Sequence, residues 1–327
     1  GREFEFEVLR TAMAADGDSS QDRVDVGRLL DLLEEGLESQ LITEERVEEG
    51  VRYTFAHALV RETLYDGLSL RRKMLLHERV GEALERVYAD VLDAHAADLA
   101  YHFSQVGRSQ AHKAVRYALQ AADAAARVYA FDEAIAHYRN AIELLPAEDV
   151  RRTEVREKVG RTLMAQGKWT EAARALEQTH REYADRGDTP AVLRSSLDLA
   201  WAYRQVPEPD RALEWAARAA DVARVAGDQG ALARASLRTA DALWLKGEYP
   251  EAAARAREAY EMAEAVGDQN AAVQARIREI NSQPPWEPKD RQELLAVVAL
   301  ADRAGFIGAS VGGRWALSTW DWFSGVD

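Results

Sequence analysis

From residue 150 onward apolar positions recur at a 3.6-residue rhythm, and alanine, leucine, arginine and glutamate dominate the windows. That periodicity predicts helix throughout, with no strand-like alternation. Between residues 150 and 188 an amphipathic helix ends near Gln166-Gly167, and a second runs from Trp169 through Ala172, Leu176 and Thr179 to Tyr183. Gly187-Asp188 closes the unit, the glycine supplying a left-handed stop and the aspartate a cap for the following helix. The same grammar returns with Leu199, Tyr203, Pro207, Ala212 and Ala219, then with Ala240, Trp244, Gly247, Tyr249, Ala252 and Ala259. Gly187-Asp188, Gly227-Asp228 and Gly267-Asp268 are spaced by forty residues, as are Ala172, Ala212 and Ala252. A fixed period of this size predicts a solenoid whose units bury their apolar faces by stacking, with small residues where paired helices approach.

The repeat weakens toward the end. Ser282-Gln-Pro-Pro-Trp-Glu-Pro288 is expected to form an inter-helix loop, since prolines do not sit inside a helix. Asp290 to Ala304 then reads as the second helix of that pair, and Ala309 to Phe323 as the first helix of a unit without its mate. With no polar capping helix, Trp315, Trp320, Trp322 and Phe323 are expected to be exposed there and to promote self-association.

The N-terminal pattern differs. Val26 to Leu37 reads as helix, Leu41 to Glu44 and Val51 to Phe55 as strands of a hairpin around Glu48-Glu49-Gly50, and Ala58 to Asp66 as helix again. Helix, hairpin wing and helix suggest a winged-helix module. Arg71 to Glu85 forms a strongly amphipathic helix, and further helices are expected near 92 to 106 and 110 to 129.

Gly167-Lys-Trp169-Thr-Glu-Ala172 and Gly247-Glu-Tyr249-Pro-Glu-Ala252 resemble the turn of the tetratricopeptide repeat. An earlier copy ends with Ala134, Tyr138, Ala141 and Pro146. A period of forty rather than thirty-four residues implies longer helices, which resembles the variant in sensor regions of large bacterial regulators. Upstream, Tyr53-Thr-Phe55-Ala-His57-Ala-Leu59-Val-Arg61-Glu62-Thr-Leu64-Tyr65, with Arg71-Arg72, Leu76-His77 and Leu99-Ala-Tyr101-His102-Phe103, resembles the segment after the nucleotide-binding core of STAND-type ATPases. That resemblance spans roughly residues 1 to 146 and includes LuxR-type and maltose-activator-type transcription regulators and some nucleotide-cyclase-associated proteins. It implies a winged helix that packs against an ATPase core, and helical repeats that sense a ligand or partner.

Composition narrows the chemistry. The chain has 327 residues, 47% hydrophobic and 30% charged, enough for a large core and two structural regions. Lysines and arginines number 42 against 56 acidic residues, a net charge of -14 that disfavours nucleic acid and anionic membranes and suits a basic partner or neutral ligand. The absence of cysteine excludes disulfides, thiolate metal sites and a cysteine nucleophile, and no apolar run approaches the ~20 residues of a membrane span. A cytoplasmic location is expected, and the start Gly-Arg-Glu-Phe suggests a piece of a longer chain. No Gly-x-x-x-x-Gly-Lys-Ser/Thr loop occurs, so neither a nucleotide cofactor nor catalysis is expected of this chain.

The wing residues Glu44-Glu-Arg-Val-Glu-Glu49 are acidic where DNA contact needs arginine or lysine. Asp98 and His102, four residues apart on a helix, lack a third metal ligand, and His57 and His77 are expected to orient backbone or carboxylates rather than catalyse. The leading binding surface is the concave face built by the first helix of each pair, which register places at Arg161, Arg194, Trp201, Arg204, Arg234, Asp241 and Trp244. Arginine and tryptophan are enriched at binding hot spots, although Trp201 and Trp244 could equally fill gaps between long helices.

The expected architecture is therefore an all-α solenoid of tetratricopeptide-like helix pairs behind a small winged-helix module. Residues 1–90 form that module and a linking helix, and residues 91–327 the repeats, the last one truncated. The expected function is the sensor and regulatory arm of a STAND-type transcription regulator. A protein partner, peptide or small effector would occupy the concave groove, and an ATPase domain would be the intramolecular partner. The alternatives are a tetratricopeptide scaffold without switching, or an accessory arm of a nucleotide cyclase.

Overall fold

The forty-residue beat is visible as backbone geometry. Gly187, Gly227 and Gly267 adopt φ of 71°, 69° and 74°, and each ends a helix in the left-handed region open to glycine. The next residue caps the following helix: the Asp188, Asp228 and Asp268 carboxylates accept from the backbone N–H of Ala191, Ala231 and Ala271 at 3.1, 2.8 and 3.1 Å. Stop and start therefore occupy adjacent residues at each of these three junctions.

The structure is a computed structural model that describes residues 3–14, 26–47, 50–283 and 287–324, with side chains up to residue 321. In chain order its elements are β1 (Glu3–Glu5), α1 (Phe6–Ala14), α2 (Val26–Glu38), β2 (Ile42–Val47), β3 (Gly50–Phe55), α3 (Ala58–Asp66), α4 (Leu70–Val87), α5 (Ala96–Ser104), α6 (Ala111–Arg127) and α7 (Phe131–Leu144). These are followed by α8 (Arg151–Ala165), α9 (Trp169–Arg186), α10 (Thr189–Gln205), α11 (Pro209–Ala226), α12 (Gln229–Lys246), α13 (Tyr249–Val266), α14 (Gln269–Asn281), α15 (Pro288–Ala304) and α16 (Ile307–Ser324). Contacts divide the chain into two compact units, Gly1–Val155 and Arg156–Asp327.

In the first unit β1, β3 and β2 form an antiparallel sheet in that order, with Phe4 opposite Tyr53 and Glu44 on its other side. Leu29 and Leu33 of α2 bury themselves with Ile42 and Tyr53, and Phe4, Phe6 and Phe55 close the cluster. The expected hairpin and flanking helices are present, although Glu48 and Glu49 at its tip lie outside the described residues. β1 and α1 were not anticipated, because a three-residue strand carries too little periodicity to register. Phe103 of α5 and Tyr117 of α6 stack at 5.8 Å, and a Cβ at Gly81 of α4 would meet the Phe103 ring at 2.9 Å. Gly81 thus lets α4 approach α5 closely.

The second unit is built of stacked helix hairpins. Ala172, Ala212 and Ala252 have no exposed surface, as the close-approach argument requires, and Leu176, Leu199 and Trp215 join Ala212 in one buried cluster. Between first and second helices the turn needs a positive φ, which Gly167 and Gly247 supply at 81° and 78°. Pro207 occupies the equivalent place at φ 22°, far from the value near -65° that its ring prefers.

Two C-terminal expectations change. Pro288 opens α15 rather than ending a loop: the missing N–H costs nothing at the first helical position, and Asp290 accepts from the Glu287 backbone N–H at 2.8 Å. Residues 284–286 of the expected loop lie outside the described residues. Trp320 is buried rather than exposed, because Ala309, Ala316, Leu317 and Trp320 share the face that α16 turns toward α14 and α15. Trp315 lies off that face and is 52% exposed, as expected, while the side chains of Trp322 and Phe323 are outside the described set.

Candidate groove on the first helices of the second unit

Neighbouring first helices run parallel, and their side chains meet in steps of 37 residues, one helical turn short of the forty-residue period. Arg161 Nε donates to Asp198 Oδ2 at 2.8 Å, Arg194 Nε to Glu157 Oε1 at 2.8 Å, and Arg278 Nε to Asp241 Oδ1 at 2.7 Å. Arg204 Nε stands 4.0 Å from Asp241 Oδ1 by the same step, and Arg238 lies over the Trp201 ring at 4.5 Å. One offset thus writes a ladder of charges and indoles along the stack.

The ladder has two parts with different charge balance. Upstream, Glu157 and Asp198 face Arg161 and Arg194, and Tyr183 adds a hydroxyl donor to Glu157 at 2.7 Å. Burial would raise the Glu157 carboxyl, but the Arg194 and Tyr183 hydrogen bonds hold it below its ordinary value. Asp198 is pushed up by burial, which Arg161 and, more weakly, Arg238 only partly offset. Downstream, one buried carboxylate, Asp241, receives Arg278, Arg238 at 3.0 Å and the more distant Arg204. Against the burial penalty, those three cations keep its carboxyl low. Burial drives the Arg204 guanidinium the opposite way, down from its usual range, with Arg278 and Arg238 adding repulsion.

Of the residues read from sequence, Trp201, Arg204, Asp241 and Trp244 meet in one groove of about 1310 Å³. Arg194, Trp201 and Arg234 line an adjoining hollow of about 500 Å³, where Arg234 also reaches Asp268 at 2.9 Å. Arg161 lines neither and is committed to Glu157 and Asp198. The residues that sequence reasoning missed are Arg238, Arg278 and Trp315. Comparing each position with the one 37 residues later would have exposed the series 204, 241, 278 and 315. The Trp244 indole donates to the Asn281 carbonyl at 3.3 Å, carries Arg278 over its ring at 4.7 Å, and meets the edge of Trp315 at 5.8 Å.

The histidines take structural positions. His102 faces His77 with Nδ1 atoms 3.1 Å apart, rather than Asp98, and the Tyr65 hydroxyl lies 3.0 Å from His77 Nε2. Packing inward between α4 and α5 thus gives His77 ring and hydroxyl neighbours in place of the expected carboxylate or backbone partner. His57 stands before α3 without a side-chain capping bond, since its ring is turned to solvent. Among the described residues no cluster of His, Cys, Asp and Glu could hold a metal ion, and no helix is long and apolar enough to cross a membrane.

No protein-family profile matches the chain, and neither does any curated protein. Solved structures do match. Aspartyl phosphate phosphatase F from Bacillus subtilis is 11% identical, with a TM-score of 0.56 over 94% of this chain and 80% of that one. The apo form of RapI is 10% identical, with a TM-score of 0.54 over 81% and 79%. A Signal Transduction ATPase with Numerous Domains carrying a tetratricopeptide repeat sensor, from Pyrococcus horikoshii, is 13% identical over 99% and 58%, at a TM-score of 0.33 that carries no argument. At such identities the likeness is one of fold: a tetratricopeptide-like helical repeat.

Proposed function

We propose that this chain is the sensor and regulatory arm of a STAND-type transcription regulator, and that an effector or protein partner occupies the groove on the first helices of the second unit. The observation that carries this reading is the groove's reach across five successive first helices, through Met164 of α8, Trp201 of α10, Trp244 of α12, Arg278 of α14 and Trp315 of α16. An occupant touching five helices at once has different affinities for differently curved stacks, which is what a switch requires. Support for the rest comes from the N-terminal order of strand, two helices and hairpin, which suits a winged helix. The acidic Glu44 and Glu45 on β2 suit a protein neighbour better than DNA. We place the boundary between module and repeats near residue 90, after α4.

The test is a reporter assay on the parent protein carrying Trp201→Ala with Arg204→Ala. Loss of the effector response at an unchanged melting temperature is the expected result. Simple destabilisation of the fold would refute the groove as the sensing surface. A parent with neither a phosphate loop nor a helix-turn-helix would leave the non-switching scaffold as the better reading.

A further inference from the structure

The upstream part of the ladder is balanced, two carboxylates against two guanidinium groups. The downstream part is not, because Asp241 alone answers Arg204 and Arg278 and shares Arg238 with Asp198. Asp241 Oδ1 accepts from Arg278 Nε and Oδ2 from Arg238 Nη1, while Arg204 Nε, 4.0 Å from Oδ1, and Arg278 Nη1 are buried without a hydrogen-bond partner. Unmet donors on charged, desolvated groups are costly, and native structures seldom keep two side by side. Beside them stand indoles: Trp244 edge-on to Trp315, whose surface is half open, and Trp201 beneath Arg204 and Arg238.

We propose that this end of the groove binds a small aromatic carboxylate, its acid group supplying the counter-charge that Arg204 and Arg278 lack and its ring lying against Trp244 and Trp315. The assignment rests on the groove being a ligand site, as above, and adds the chemical class. A carboxylate brings the negative charge these guanidinium groups lack, whereas a neutral carbonyl accepts hydrogen bonds without neutralising them. The ring follows from Trp244 and Trp315, which offer edge-to-face partners. Arg204 and Arg278 line the groove together with Trp244 and Trp315, so the acid belongs at this end although the whole groove is longer. The chain's net charge of -14 is opposite in sign to this local excess, and acts on the approach of an anion rather than on its bound geometry.

Isothermal titration of the full chain with indole-3-acetate, indole-3-acetamide, acetate and N-acetyl-glycyl-phenylalanine tests the class. Indole-3-acetate is expected to bind at least tenfold more tightly than the amide and than acetate. Arg204→Gln and Arg278→Gln are each expected to abolish that preference, and Arg204→Gln to leave the melting temperature unchanged or higher, since it removes a surplus charge. Equal affinity for acid and amide, no binding of the acid at millimolar concentration, or a preference that survives both substitutions would overturn the proposal. Binding of the peptide alone would overturn the small-acid assignment in favour of a chain end. A regulatory response abolished by the groove substitutions in a protein that ignores indole-3-acetate sinks this inference while leaving the sensor reading intact. Acid binding without any regulatory effect does the reverse.

Discussion

Asp241→Ala is expected to cost about 3–5 kcal/mol, the loss typical of breaking a buried ion pair from one side. The magnitude follows from what remains: Arg278 and Arg238, held at 2.7 and 3.0 Å by the carboxylate, and Arg204 at 4.0 Å would face one another in a site shielded from water. Repulsion and lost hydrogen bonds then act together, whereas the cavity left by a short side chain is minor. Asp241→Asn should lose nearly as much, because shape is kept and charge is not. The measurement is urea unfolding followed by tryptophan fluorescence, which Trp201 and Trp244 report from within the cluster. Combining Asp241→Ala with Arg278→Met should recover part of the loss, giving a coupling energy well above 1 kcal/mol. A cost below about 1 kcal/mol for Asp241→Ala would mean that solvent, not the carboxylate, neutralises these arginines.

Acidification is expected to destabilise the first unit through His102. Burial and the adjacent His77 depress its imidazole to about 3, and burial lowers His77 as well. Because the unfolded chain takes up the proton near pH 6.5 and the folded one does not, the stabilisation is complete above that value and is lost as pH falls toward 3. The slope is about 1.4 kcal/mol per pH unit for one group, so pH 5 should cost about 2 kcal/mol relative to pH 7, before most carboxylates titrate. His102→Gln should flatten the profile between those values. Histidine proton resonances give the direct check: a His102 titration midpoint above about 5 is incompatible with this account.

Much of the fold was legible because it depends on local rules repeated in register. A helix stop at Gly227 and a start at Asp228 need only their own backbone, so their recurrence marks unit boundaries without knowledge of packing. The helix spanning Ala58–Asp66 was readable for the same reason, whereas β1 was not, since Phe4 acquires its role only by lying beside Tyr53 and Phe55. Trp320 shows the opposite failure. Its exposure was inferred from a missing partner helix, but helical phase alone turns it toward α14 and α15.

The candidate groove divides in the same way. Periodicity placed Arg204, Asp241 and Trp244 on first helices, because a position within a repeat determines the face on which a side chain lies. That three arginines converge on one carboxylate was decided by the stagger of neighbouring helices, which turns a forty-residue period into a 37-residue contact step. Sequence by itself determined the helices, their caps and the repeat, since these rest on interactions within a few residues. Only the tertiary structure decided which charges meet and which are left unbalanced, because Coulomb energy depends on distance and burial that no single unit contains.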